Sequence, residues 1–141
     1  EGEAVAANDV GAINYYARID CLDLWGLASH EVARRMRNGC YDTGAIMEIA
    51  EERGVRIAVV YEPLFTRRCS LPGDWTPVGS WTICNNVVCG GTTVTFFAIS
   101  RSEVGPLASH LESFAGELPK GVTWRDLRDE PSRGDGTVSG G

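Results

Sequence analysis

Residues 55–61 read Val-Arg-Ile-Ala-Val-Val-Tyr, a nearly unbroken β-branched run. A strand of this kind is apolar toward both of its faces, so it predicts a central strand covered on both sides rather than one half open to water. Gly54 stops a helical pattern immediately before it, and Pro63 ends it. A strand that needs cover on two faces, preceded by a helix, points to the α/β class.

The flanking segments fit that class. Residues 4–7 form a short apolar strand, broken by Asn8-Asp9-Val10-Gly11. A short helix is predicted over 12–17, with Asp9 as its cap. A second strand covers 19–24. Ser29 reads as the N-cap of the next helix, which Gly39 stops. Asp42 or Thr43 caps a further helix whose apolar stripe is Ala45, Ile46, Ile49 and Ala50. Residues 64–77 read as a surface loop. Two strands follow at 78–83 and 93–99, with hairpin-turn signals at Asn85-Asn86 and Gly90-Gly91 between them. The last helix is predicted over 103–118, capped by Ser102. Its stripe of Leu107, Leu111, Phe114 and Leu118 is expected to be buried, and Glu112 and Glu117 exposed. The order predicts an α/β sandwich, Rossmann-like in its layering, with parallel strands first, an antiparallel edge hairpin and a C-terminal helix.

The chain has 141 residues. That is enough for one domain, expected over 1–128, followed by a Gly/Ser-rich and charged tail over 129–141 expected to be disordered. Thirteen Lys and Arg stand against nineteen Asp and Glu, a net charge of −6. A nucleic-acid partner is therefore not expected, because a phosphate-backbone binder needs a basic face. No apolar run approaches the ~20 residues that span a bilayer. The chain opens on Glu1 with a strand close behind, so the expectation is a piece of a longer protein, with no signal peptide in view.

Few residues carry chemistry. The five cysteines contain no CxxC pair, and only His30 and His110 supply imidazole, so no metal site is expected. Cys84 and Cys89 flank a turn and make a possible disulfide in an oxidising compartment; five free thiols is the equally weighted reading. The Walker, GxGxxG and GxSxG patterns are absent, so neither a catalytic residue nor a cofactor is expected. His30 and His110 read as surface residues. Cys69 follows Arg67 and Arg68, a setting that can lower a thiol pKa. Trp75, Trp81, Phe96 and Phe97 read as core.

In an open parallel sheet, ligands bind beyond the carboxyl ends of the strands. The first strand delivers Asn8 and Asp9 there, with Gly11 in the turn. The second delivers Asp23, and the third Tyr61 and Glu62. Three carboxylates on one rim suit a divalent cation or sugar hydroxyls. The plainer reading, weighted more heavily, makes Asp9 and Asp23 caps and Glu62 a solvated side chain.

Asn8-Asp9-Val10-Gly11-Ala12 followed by Tyr16, then Asp23-Leu24-Trp25-Gly26-Leu27, resembles the soluble C-terminal domain of bacterial multispanning membrane proteins of the lipid-linked-sugar glycosyltransferase type. Val59-Val60-Tyr61, Leu71-Pro72 with Trp75, Trp81-Thr82-Ile83 and Val94-Thr95-Phe96-Phe97 are similar too. The likeness covers roughly residues 4–120. It implies an extracytoplasmic, membrane-associated domain of a longer parent chain. It carries over no catalytic residue, since the family's catalytic acids lie in its membrane portion. The expected function is a non-catalytic accessory domain with a glycan, an acceptor or the parent's membrane portion as partner. The alternatives are a free-standing α/β enzyme or small-ligand domain using the carboxylate rim, and an assembly module pairing through an exposed strand edge.

Overall fold

A computed structural model describes residues 3–67, 69–87 and 89–129, without the side chain of Ala12. The expected tail beyond Asp129 lies outside the described residues. The elements run β1 (Ala4–Ala7), α1 (Gly11–Tyr16), β2 (Asp20–Asp23), α2 (His30–Arg37), α3 (Thr43–Glu52), β3 (Val55–Val60), α4 (Glu62–Phe65), β4 (Thr76–Ile83), β5 (Thr93–Ala98), α5 (Arg101–Phe114) and β6 (Val122–Asp126). The fold is mixed α/β around a six-stranded sheet of order β2-β1-β3-β5-β4-β6.

β1 lies parallel between β2 and β3, with Ala7 opposite Asp23 on one side and Val59 on the other. β5 runs antiparallel to β3, and β4 antiparallel to β5. β4 therefore points the same way as β1, β2 and β3. The β4–β5 pairing shifts register between Pro77 and Gly79, as expected where proline has no N–H to give the ladder.

The sheet is buried by alternation. Ala58, Val60 and Phe97 join a core with Val32 of α2 and Ile46, Ile49 and Ala50 of α3. Phe96 and Ala98 join a second core with Leu107, Ala108 and Leu111 of α5, against which Ile57 and Val59 pack. Neighbours along β3 and β5 thus serve different cores, which is what a strand apolar on both faces requires. Two local signals behave as expected. The Ser29 hydroxyl accepts from Val32 N–H, and the Asp42 carboxylate accepts from Ala45 N–H at 2.9 Å. Gly39 and Gly54, at φ +69° and +62°, end α2 and α3.

Other local expectations are corrected. Val10, not Asp9, precedes α1, and no side chain caps that helix. Ser100 precedes α5, and the Ser100 and Ser102 hydroxyls bond to each other at 2.8 Å rather than to the helix. Four residues of the expected 64–77 loop region and its approach form α4, opened by Glu62 and Pro63. The β4–β5 hairpin is not the sheet edge, because β6 pairs antiparallel with β4 and takes that place. The Trp124 ring of β6 lies over Gly79, where an added Cβ would sit 1.9 Å from the ring. Glycine at 79 is what lets the edge strand seat its tryptophan.

α5 gives way to a 3₁₀ turn, Ala115–Glu117. The stripe drifts off the core there: Phe114 is 43 % exposed and Leu118 only half-buried. Glu112 and Glu117 are exposed, as expected. Leu111→Ala should therefore cost about 2–5 kcal/mol through the cavity it leaves, and Phe114→Ala distinctly less. Denaturant unfolding of the two variants checks the order.

Candidate functional site

The parallel strands send their carboxyl ends to one edge of the sheet. Asn8 and Asp9 follow β1, Asp23 ends β2, and Tyr61 and Glu62 follow β3. Because β4 points the same way, the β4–β5 loop also falls on this edge. The chain passes from β1 to β2 on one side, then back across to β3 on the other. The crevice between β1 and β3 is the switch point at which open sheets of this kind hold ligands.

Asn8 occupies that crevice. Its amide donates to Tyr61 O at 3.1 Å and accepts from Tyr61 N–H at 2.9 Å. The side chain thus continues the β1–β3 ladder one step past its backbone end. Asp23 is also committed. It is 1 % exposed, and its two oxygens accept from Trp25 N–H at 2.8 Å and Ala28 N–H at 2.5 Å. It closes the turn that follows β2. Gly26 completes that turn at φ +73°, with its Cα so close to α2 that an added Cβ would lie 2.8 Å from Ala33 N. Gly11 has no such constraint: a Cβ there would meet nothing within 4 Å. Glu62 is buried at the start of α4. Asp9 remains exposed on the rim.

The β4–β5 loop brings residues that sequence reasoning did not place here. Gly90 and Gly91 pack on Tyr61 so closely that a Cβ on Gly91 would lie 3.1 Å from the ring. Cys89 lies close enough to the phenol to act on its titration. Burial first, then Cys89 and the nearby Asp9 carboxylate, push the Tyr61 phenol up to about 12. The signal was partial: the two turn glycines lead into β5, and they arrive beside the residue that follows β3 because β5 pairs antiparallel with β3. Cys84 and Cys89 are separate thiols, Cys84 exposed. The Asn86 side chain closes the loop instead, donating to Cys89 O and accepting from Cys89 N–H, both at 2.8 Å.

A raised phenol pKa means that the fold favours the neutral form. That stability is fully present below the ordinary phenol pKa near 10 and is lost as pH rises through about 12. Tyr61→Phe should flatten part of the fall in melting temperature across this window. Thermal melts of both proteins at pH 9 to 12 check it.

A cavity of about 240 Å³ is lined by Met36, Gly39, Tyr41 and Cys69. The Tyr41 hydroxyl donates to Leu24 O at 3.0 Å, so the phenol is tied to the fold. Burial and the Asp42 carboxylate raise the Cys69 thiol pKa. The activation suggested by the neighbouring arginines is not what the surroundings produce. His30 and His110 are exposed on their helices. Trp75, Phe96 and Phe97 are core.

Among the described residues, no group of three or more His, Cys, Asp or Glu side chains is placed to hold a metal ion. Among the same residues, no helix is long and apolar enough to cross a membrane. Residues 1–97 match the model of a family described as a domain of unknown function, DUF8728. The chain belongs to that family. The DUF8728 match runs from before β1 to Phe97 in β5, so it takes in the whole edge from Asn8 to Gly91 and stops short of α5 and β6. No curated protein matches the chain, and no solved structure does.

Proposed function

We propose that this DUF8728 domain is a non-catalytic accessory module, layered as a Rossmann-like sandwich, that holds a glycan or glycan acceptor at the carboxyl edge of its sheet. The resemblance of Asn8–Tyr16 and Asp23–Leu27 to the soluble domain of membrane glycosyltransferase-like proteins makes the parent an extracytoplasmic, membrane-associated chain. The observation that carries the non-catalytic reading is the commitment of the rim's buried polar groups. Asn8 locks β1 to β3 and Asp23 closes a turn, so each is already engaged with backbone partners. A group held in that way by the fold builds a platform and is poorly placed to turn toward a reacting atom. Asp9 stands exposed on the same rim as Tyr61, within electrostatic reach of its phenol, and a carboxylate and a phenol on one rim suit the hydroxyls of a sugar.

The same pair favours a second reading, a small-ligand or enzymatic site on a free-standing α/β domain. Titration of the full chain with oligosaccharides and sugar-nucleotide donors separates the two. The accessory reading expects weak binding that Asp9→Ala abolishes at unchanged melting temperature, without turnover. Donor turnover lost in Asp9→Asn with the fold intact would establish the second reading instead.

A further inference from the structure

Three parts of the chain meet around the cavity of about 240 Å³: Met36 and Gly39 at the end of α2, Tyr41 in the turn to α3, and Cys69 after α4. Each wall is tied from outside the cavity. Gly39 turns the chain out of α2 at φ +69°, and Cys40 N–H donates back to Arg35 O at 2.9 Å. The Tyr41 hydroxyl donates to Leu24 O. The third wall is held by the Thr43 hydroxyl, which donates to Ser70 O at 3.0 Å, and by Cys69 N–H, which donates to Phe65 O at 3.3 Å. Met36, Tyr41 and Cys69 also pack against the core that α2 and α3 share. Walls fixed in this way need little ordering when something enters.

The lining is uncharged. The Tyr41 hydroxyl is engaged with Leu24, and the Cys69 thiol donates to Ser70 O at 3.5 Å. The lining side chains therefore offer an occupant ring carbon and sulfur rather than free donors. Water gains little from such walls, and an apolar group that displaces it gains affinity. We infer that this cavity is a binding site for a neutral aromatic group of one or two rings. Size sets the upper bound, because an apolar cavity of about 150 Å³ is filled by one benzene, and this one is larger by about a further ring. Chemistry selects the ring: the thioether of Met36 and the sulfur of Cys69 favour aromatic edges, and the Tyr41 ring adds an aromatic contact. A charged ligand would find no counterion in the lining. The Asp42 carboxylate, next in sequence to Tyr41, is already engaged with Ala45 N–H. This inference stands on the cavity alone and does not need the glycan reading.

The test is alkylation of the full chain by iodoacetamide with and without indole, read for each cysteine by peptide mass spectrometry. Cys69 is half-buried and Cys84 exposed, so the first reports the cavity and the second is the control. Indole should slow alkylation of Cys69 at least threefold, saturably, and leave Cys84 unchanged. Indole-3-acetate, the charged homologue, should protect at least tenfold more weakly. Met36→Leu keeps an apolar side chain of similar size but removes the sulfur, so it should melt with the wild type and bind indole about threefold less well, the order of one lost sulfur–ring contact. Absence of saturable protection up to the solubility limit of indole would overturn the proposal. Equal slowing at Cys69 and Cys84 would overturn it too, and so would equal protection by the charged homologue.

Discussion

Gly26→Ala is expected to lower stability by about 2–4 kcal/mol, the sum of a left-handed backbone penalty and an overpacked contact. The residue sits at φ +73°, and its Cβ would stand 2.8 Å from Ala33 N and 3.0 Å from Ala33 Cα. Those are backbone atoms of α2, so no side-chain rotation relieves the contact. Either the turn lifts away or α2 shifts. Gly54→Ala is the matched control. It has φ +62° and nothing within 4 Å, so it should lose only about 1–2 kcal/mol. Urea unfolding of the two variants measures the difference, which is the close approach alone. Equal losses would mean that the turn after β2 does not rest on α2.

Asp23→Ala is the second large effect, about 2–5 kcal/mol, because it leaves two N–H groups of a tight turn without their charged acceptor. Asp23→Asn keeps one acceptor oxygen but turns an NH₂ group toward a backbone donor, so it should fall between Ala and wild type. Asp9→Asn, on an exposed side chain with no cap to lose, should stay within about 0.5 kcal/mol. The contrast matters for function. Any ligand-binding defect in Asp23 variants has to be separated from unfolding, whereas a defect in Asp9→Asn reports the rim itself. Thermal melts recorded beside each titration make that separation. A large loss for Asp9 and none for Asp23 would reverse the roles assigned to the two carboxylates.

The legible parts of this fold were those governed by neighbours in sequence. The run at 55–61 announced a strand covered on both faces, and it lies inside the sheet between β1 and β5. Ser29, Asp42, Gly39 and Gly54 act within one helical turn of themselves, so their roles could be read directly. Asp9 failed as a cap because Val10 stands between it and α1 and takes the capping position without a side-chain bond. Leu118 keeps an α-helical period on paper, but the chain tightens to a 3₁₀ turn after Phe114 and leaves it only half-buried, while Phe114, the last residue of α5, stacks on Trp81 at 5.7 Å with its ring part-exposed. β6 has only five residues, too few to stand out by periodicity, and its docking depends on the absence of a side chain at Gly79.

The candidate site divides in the same way. Parallel strand order was enough to place Asn8, Asp9, Asp23, Tyr61 and Glu62 on one edge. Which of them were already spoken for was not legible. The Asn8–Tyr61 clasp joins residues 53 apart in sequence, and Tyr61 lies beside Cys89 and Gly91 because β5 pairs antiparallel with β3. Cys69 shows the opposite case, where two neighbouring arginines suggested a low thiol pKa and burial beside Asp42 raises it.

The central claim is that the carboxyl edge is a binding platform and not a reaction centre. Amide chemical-shift mapping of the full chain during titration with an oligosaccharide, with the sugar's own proton spectrum recorded in the same tube, tests it most directly. The account predicts shifts concentrated at Asp9, Gly11, Tyr61 and Gly90-Gly91, absent in Asp9→Ala, with the sugar spectrum unchanged over time. Shifts gathered instead around Met36, Tyr41 and Cys69, or new sugar signals that grow with incubation, would contradict it.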